Sequence, residues 1–154
     1  MRPSEVFQPE RDNQAVNIQL LSDLHLESNP YFVAEPTPGA DVLVLAGDIG
    51  SYQAGSSLPR LGIEDFGLAR FSPRPVSEGG AGWPTPVLFI PGNHEYDGLE
   101  FDDATRSLRA ACERWGLIWL EQQSVVLQGV RFLGSTLWTD FDALNGDSLS
   151  ASLT

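Results

Sequence analysis

"PVLFIPGNHE", residues 86–95, is an apolar run cut by a Pro-Gly break and followed at once by an amide, an imidazole and a carboxylate. An apolar run of this length, bounded by turn residues, predicts a strand over 86–90. Pro91-Gly92 ends it by turn chemistry, which leaves Asn93, His94 and Glu95 just past the strand's carboxyl end. In open parallel sheets, ligands gather beyond such ends. Two earlier segments share this pattern. "DVLVLAGD" (41–48) is a continuous apolar run closed by Gly47-Asp48, and "VNIQLLS" (16–22) is followed by Asp23-Leu24-His25. The sequence holds two histidines, His25 and His94, and both stand at these ends.

The rest of the chain fits around three such strands. "DDATRSLRAACERWG" (102–116) predicts the main helix, capped by Asp102 or Asp103 and stopped by Gly116. "LIWLE" (117–121), "SVVLQ" (124–128) and "VRFLGSTLW" (130–138) predict further strands, the last two joined in a hairpin at Gln128-Gly129. Residues 1–15 read as a polar extension and 16–154 as one domain, interrupted by a Gly-, Pro- and Ser-rich segment over 50–86. A connection that long is functional or mobile, and its place after Asp48 suggests a lid over the strand ends. Strand, loop, strand, long loop, strand, helix and more strands make an α/β plan with a largely parallel first half.

Composition narrows the function. The 154 residues carry 21 acids against 9 bases, all of them arginine, for a net charge of −12. That balance argues against binding a nucleic-acid backbone, which needs a basic face. Cys112 is the sole cysteine and falls within the predicted helix, so neither a disulfide framework nor a redox role is expected. No run has the length of a membrane span or of a signal-peptide core, so the expected compartment is the cytoplasm, with no membrane partner.

The strand ends together offer Asp23, His25, Asp48, Asn93 and His94. Each alone is ordinary turn chemistry. Their conjunction, in order and using both histidines, points to a metal centre. Oxygen from Asp and Asn with nitrogen from His suits Mn²⁺, Fe²⁺ or Zn²⁺ better than Ca²⁺ or Mg²⁺. Asp48, on the middle segment, is placed to bridge two ions. A pair of ions roughly 3.5–4 Å apart can activate water and polarise a phosphoryl oxygen, and a histidine outside the ligand set can protonate the leaving alkoxide. His94 suits that task, with Glu95 as a candidate to orient it. Gly47 and Gly92 let the backbone turn sharply beside a ligand.

"LSDLHLE", "DVLVLAGDIG" and "VLFIPGNHEY" resemble the first three motifs of the calcineurin-like metallophosphoesterases: D-x-H, G-D and G-N-H-[DE]. "GVRFLGSTLWTDF" (129–141) is similar to a segment of one bacterial and phage branch of that family. The resemblance implies an αββα sandwich with two divalent metal ions, Mn²⁺ foremost. Asp23 and His25 would hold the first ion, Asp48 would bridge, Asn93 would hold the second, and His94 would be the acid. The reaction implied is hydrolysis of a small phosphomonoester or phosphodiester. Family members carry later histidine motifs, and no histidine follows His94 here. The expectation is therefore an incomplete sandwich, its first half plus the start of the second sheet. Asp140, Asp142 and Asp147 are the carboxylates left to complete the shells. Trp119, Phe132, Leu137, Trp138 and Phe141 would form an exposed apolar surface prone to self-association. The alternative to an enzyme is a non-catalytic fragment or a protein-interaction module of the same fold.

Overall fold

Runs of Val, Leu and Ile, which pack well on a pleated surface, form the central sheet of the computed structural model, which describes residues 15–138. β1 is Ile18–Leu21, β2 Val42–Ala46, β3 Val87–Ile90 and β4 the short Ile118–Trp119. They lie in the order β1-β2-β3-β4, all parallel, with Ile18 beside Val42, Leu43 beside Val87 and Leu88 beside Ile118. A parallel sheet whose spatial order follows the sequence has no switch point. Right-handed crossovers then put every connection on the same face.

The two faces are accordingly different. Successive side chains of a strand point to opposite sides, and β2 and β3 divide on that period. Leu43, Leu45, Val87 and Phe89 enter one core with Ala104, Leu108, Ala111 and Cys112 of the helix. Val42 and Leu88 enter another with Leu120, Val125, Leu127 and Phe132. The second core is closed by a hairpin of β5, Gln123–Leu127, and β6, Val130–Gly134. Its turn has positive φ at both Gln128 (49°) and Gly129 (79°), the type I′ geometry that matches strand twist. The described part of the chain is thus layered as helix and loops, sheet, then hairpin, as a metallophosphoesterase-like α/β fold requires.

The helix α1 runs Phe101–Trp115 and ends at Gly116, whose φ of 77° lets its N–H reach Cys112 O. Its cap differs from expectation. Glu100 occupies the cap position and makes no side-chain capping bond, while Asp102 and Asp103 lie in the first turn. There their charge favours the helix dipole. Burial pushes the Cys112 thiol up to about 12, which fits an inert packing residue.

Residues 50–86 differ more. Leu58, Phe66, Leu68, Phe71 and Trp83 of this segment are buried in the helix-side core. Three short 3₁₀ turns, Pro59–Leu61, Leu68–Phe71 and Val76–Glu78, break it up. Tyr52 Oη donates to Ile63 O at 3.2 Å and accepts from Phe66 N–H at 3.1 Å, which folds the segment back on itself. Its Gly and Pro content hid an apolar set spaced too irregularly to read as strand or helix. The segment is a packed wall rather than a lid.

Leu137 and Trp138 are exposed as expected, whereas Trp119 and Phe132 pack as half-buried core neighbours. Phe141, Asp140, Asp142 and Asp147, and the polar extension up to residue 14, lie outside the described residues. Among the described residues, no helix is long and apolar enough to cross a membrane.

Candidate metal centre

The loops that leave β1 and β2 continue side by side past the sheet. Asp23 N–H donates to Gly47 O at 3.0 Å, His25 N–H to Asp48 O at 3.0 Å, and Leu26 N–H to Ile49 O at 2.9 Å. To do so the backbone turns left-handed. Of the six non-glycine residues with positive φ among the described residues, three are Asp23 (54°), His25 (47°) and Asp48 (53°). Such conformers cost roughly 1–3 kcal/mol each and cluster where function holds them in place. Asp is among the residue types that tolerate this region best, and His follows.

The third loop joins by close approach. Gly47 lies against Gly92 so tightly that a Cβ at Gly47 would fall 2.7 Å from both the Gly92 nitrogen and Cα. Past Gly92, His94–Tyr96 form a single 3₁₀ turn. His94 N–H donates to Asp48 Oδ1 at 3.0 Å, so the middle carboxylate is fixed by the third loop.

Glu95 does not orient His94. Its side chain is fully buried and turned away from the imidazole. It accepts four backbone N–H groups: Gly92 at 2.6 Å, Ile49 at 2.6 Å, Asp48 at 3.0 Å and Gly50 at 3.2 Å. Burial pushes its carboxyl above the ordinary range, against the pull of those four donors. The residue that holds His94 is Asp97, whose Oδ2 lies 2.7 Å from His94 Nδ1. Glu27 holds His25 in the same way, at 2.9 Å from Nδ1. Both partners were readable in principle. Glu27 follows His25 by two residues in "LSDLHLE", and Asp97 follows His94 by three, one turn of 3₁₀ geometry.

With each Nδ1 engaged by a carboxylate, the Nε2 atom of each ring is left for the site. Ligand atoms of His25, Asp48 and His94 all lie within 4.8 Å of one another. The two rings meet edge to face, with centroids 5.0 Å apart. Asp23, Asp48 and Asn93 line one cavity of about 420 Å³, whose opposite wall is Leu133–Leu137. That wall is tied down by Thr136, whose Oγ1 lies 2.8 Å from Pro91 O and whose N–H donates to Glu121. Asp48 alone belongs to both groups. His25, Asp48 and His94 thus form one group, and Asp23 and Asn93 line one cavity with Asp48. The His25 imidazole backed by a carboxylate, a central aspartate and adjoining Asp and Asn oxygens fit a divalent transition ion, with the His94 ring beside them.

Tyr96 and Trp83 serve packing. Tyr96 stacks on Phe101 at 4.6 Å between centroids, and Trp83 packs against Phe71 at 5.8 Å.

His94 has a perturbed acidity. Burial opposes its charge, but the Asp97 hydrogen bond and the charges of Asp48, Asp97 and Glu27 outweigh that. Its pKa stands above the ordinary histidine value.

A parallel sheet with these three loops at its carboxyl edge defines a calcineurin-like phosphoesterase. Residues 16–148 match that family, and the chain belongs to it. Over 73 residues the chain is 29% identical to "Uncharacterized protein L509" of Acanthamoeba polyphaga mimivirus, a match covering 44% of this chain. The chain spans about a quarter (26%) of that relative's length.

Proposed function

We propose that the chain hydrolyses a small phosphate ester with divalent ions, manganese foremost, held by Asp23, His25, Asp48 and Asn93. The observation that carries this is the convergence of His25, Asp48 and His94 within 4.8 Å, beside the cavity that Asp23 and Asn93 share with Asp48. Bound ions would supply Lewis acidity and an activated water. The chain's own residues do the rest. Glu27 and Asp97 fix the ring orientations of His25 and His94. His94, oriented by Asp97, would deliver a proton from Nε2 to the departing alkoxide.

The first test is Mn²⁺-dependent hydrolysis of p-nitrophenyl phosphate and its bis ester. His94→Ala is expected to lower kcat about 10²-fold or more, within the range for loss of a general acid, with Mn²⁺ affinity changed far less. Equal activity in the variant would remove His94 from the reaction. No Mn²⁺ binding by the wild-type chain would remove the metal reading altogether.

Asp97→Asn is expected to lower the His94 pKa, because it deletes the charge that helps raise it and leaves only a neutral, weaker acceptor. Histidine ring proton shifts against pH, in protein prepared without metal, report this directly. The sign carries to stability. A raised folded-state pKa stabilises the fold fully below the ordinary histidine value, and the gain disappears as pH rises through the raised one. The stability deficit of Asp97→Asn is therefore expected below that window and should shrink above it. A His94 midpoint unchanged by the substitution would refute the pairing.

A further inference from the structure

The loop between His25 and β2 carries a feature that the fold does not use. Tyr31, Phe32 and Val33 are three consecutive apolar residues with 85%, 39% and 78% of their surface exposed. Apolar runs of this kind on a surface are unusual without a contact to make.

The ridge is held in place. Asn29 N–H donates to His25 O at 2.8 Å, Phe32 N–H to Asn29 O at 3.1 Å, and Arg70 Nη1 to Phe32 O at 3.1 Å. The first of these bonds ends on His25 itself, so the ridge and the metal centre are parts of one loop.

Two cavities meet at the ridge. One, of about 520 Å³, is bounded by Asp23, Leu24, Asn29, Pro30, Tyr31 and Phe32. The other, of about 640 Å³, lies beyond it and is bounded by Pro30, Tyr31, Ser57 and Arg60 among others. Asp23 also lines the cavity that holds Asp48 and Asn93. A phosphoryl group at those residues would lie against Asp23, which also lines the cavity of Tyr31 and Phe32. Flat aromatic groups gain from offset or edge contacts with such rings, whereas a short polar alcohol gains nothing there. A general protein-docking surface explains less, because the exposed rings share a cavity with Asp23 rather than standing apart from the site.

We propose that Tyr31 and Phe32 form a subsite for an aromatic substituent of the phosphate ester, so that the preferred substrate class is aryl or heteroaryl phosphates. The proposal rests on the phosphoesterase reading, and the experiment separates the two. Equilibrium binding of phenylphosphonate and methylphosphonate is measured by calorimetry on the Mn²⁺-loaded full chain, in wild type, Tyr31→Ala and Tyr31→Phe. Neither compound can turn over by ester cleavage, so binding is read without activity.

The expected result is that phenylphosphonate binds about tenfold more tightly than methylphosphonate. Tyr31→Ala should remove most of that advantage and leave methylphosphonate unchanged, while Tyr31→Phe restores it. Equal affinity of the two in wild type would overturn the subsite and leave the metal site standing. Failure of both to bind would overturn the phosphoesterase reading, and the subsite with it. Tyr31-dependent binding to phosphatidylcholine vesicles, with no preference between the phosphonates, would assign the ridge to a lipid surface and overturn the subsite.

Discussion

Glu95→Gln is expected to loosen the loops after β2 and β3 and to weaken Mn²⁺ binding by about 10–100-fold, the range seen when groups that orient metal ligands are lost. The glutamate is fully buried and every partner it has is a backbone N–H, from Asp48, Ile49, Gly50 and Gly92. A carboxylate is acceptor-only, which suits four donors. A glutamine keeps one acceptor oxygen and turns two N–H donors toward amides that are themselves donors. At least one buried amide loses its partner, and each such loss costs roughly 1–3 kcal/mol. Urea unfolding should show a stability loss of about 2–4 kcal/mol on that basis. Calorimetric Mn²⁺ titration, run well below the unfolding midpoint, should show the affinity loss in molecules that remain folded. Full Mn²⁺ affinity in Glu95→Gln would mean that the loops hold their ligands without this carboxylate.

Gly47→Ala is expected to be strongly destabilising. The added carbon would stand 2.7 Å from the backbone nitrogen and Cα of Gly92, neither of which can swing away like a side chain. The φ of 84° at Gly47 adds the cost of left-handed backbone for a residue with a Cβ. Overlap in a well-packed region typically costs about 1–3 kcal/mol, and the two penalties together predict a loss of about 3 kcal/mol. A thermal melt measures it. Gly92→Ala makes a useful contrast, because its Cβ would collide with the Asp48 carboxylate as well as the Asp48 nitrogen. That variant should harm ion binding more, relative to its effect on folding, than Gly47→Ala. A Gly47→Ala protein melting with the wild type would show that the two loops can move apart freely.

Much of this arrangement can be read from residue order, because strands and their ends are local signals. Apolar runs bounded by Gly, Pro and Asp gave β2 and β3, and the histidines after such runs gave the site. The helix was legible from its Ala and Leu content and the Gly116 stop. What the sequence hid depends on partners far along the chain. Glu95 lies beside His94 in sequence, yet its acceptors are spent on Asp48, Ile49 and Gly50, some 45 residues away. Asp97 and Glu27 carry the neighbouring roles instead. The left-handed turns at Asp23, His25 and Asp48 leave no mark in composition, since Asp and His also occur in ordinary turns. The burial of Leu58, Phe66, Leu68, Phe71 and Trp83 in the 50–86 loop left no sequence signal, because these residues follow no period.

The β1 and β2 loops are laced together by main-chain bonds from Asp23, His25 and Leu26, not by the side chains of the first two. This divides labour between scaffold and chemistry. The side chains of Asp23 and His25 can change while the lacing survives, provided the new residue accepts the left-handed backbone there, as Asn does. Metal preference is therefore open to drift at these two positions within that short set of residues. Asp48 and Glu95 lack that freedom, because their carboxylates are themselves part of the lacing.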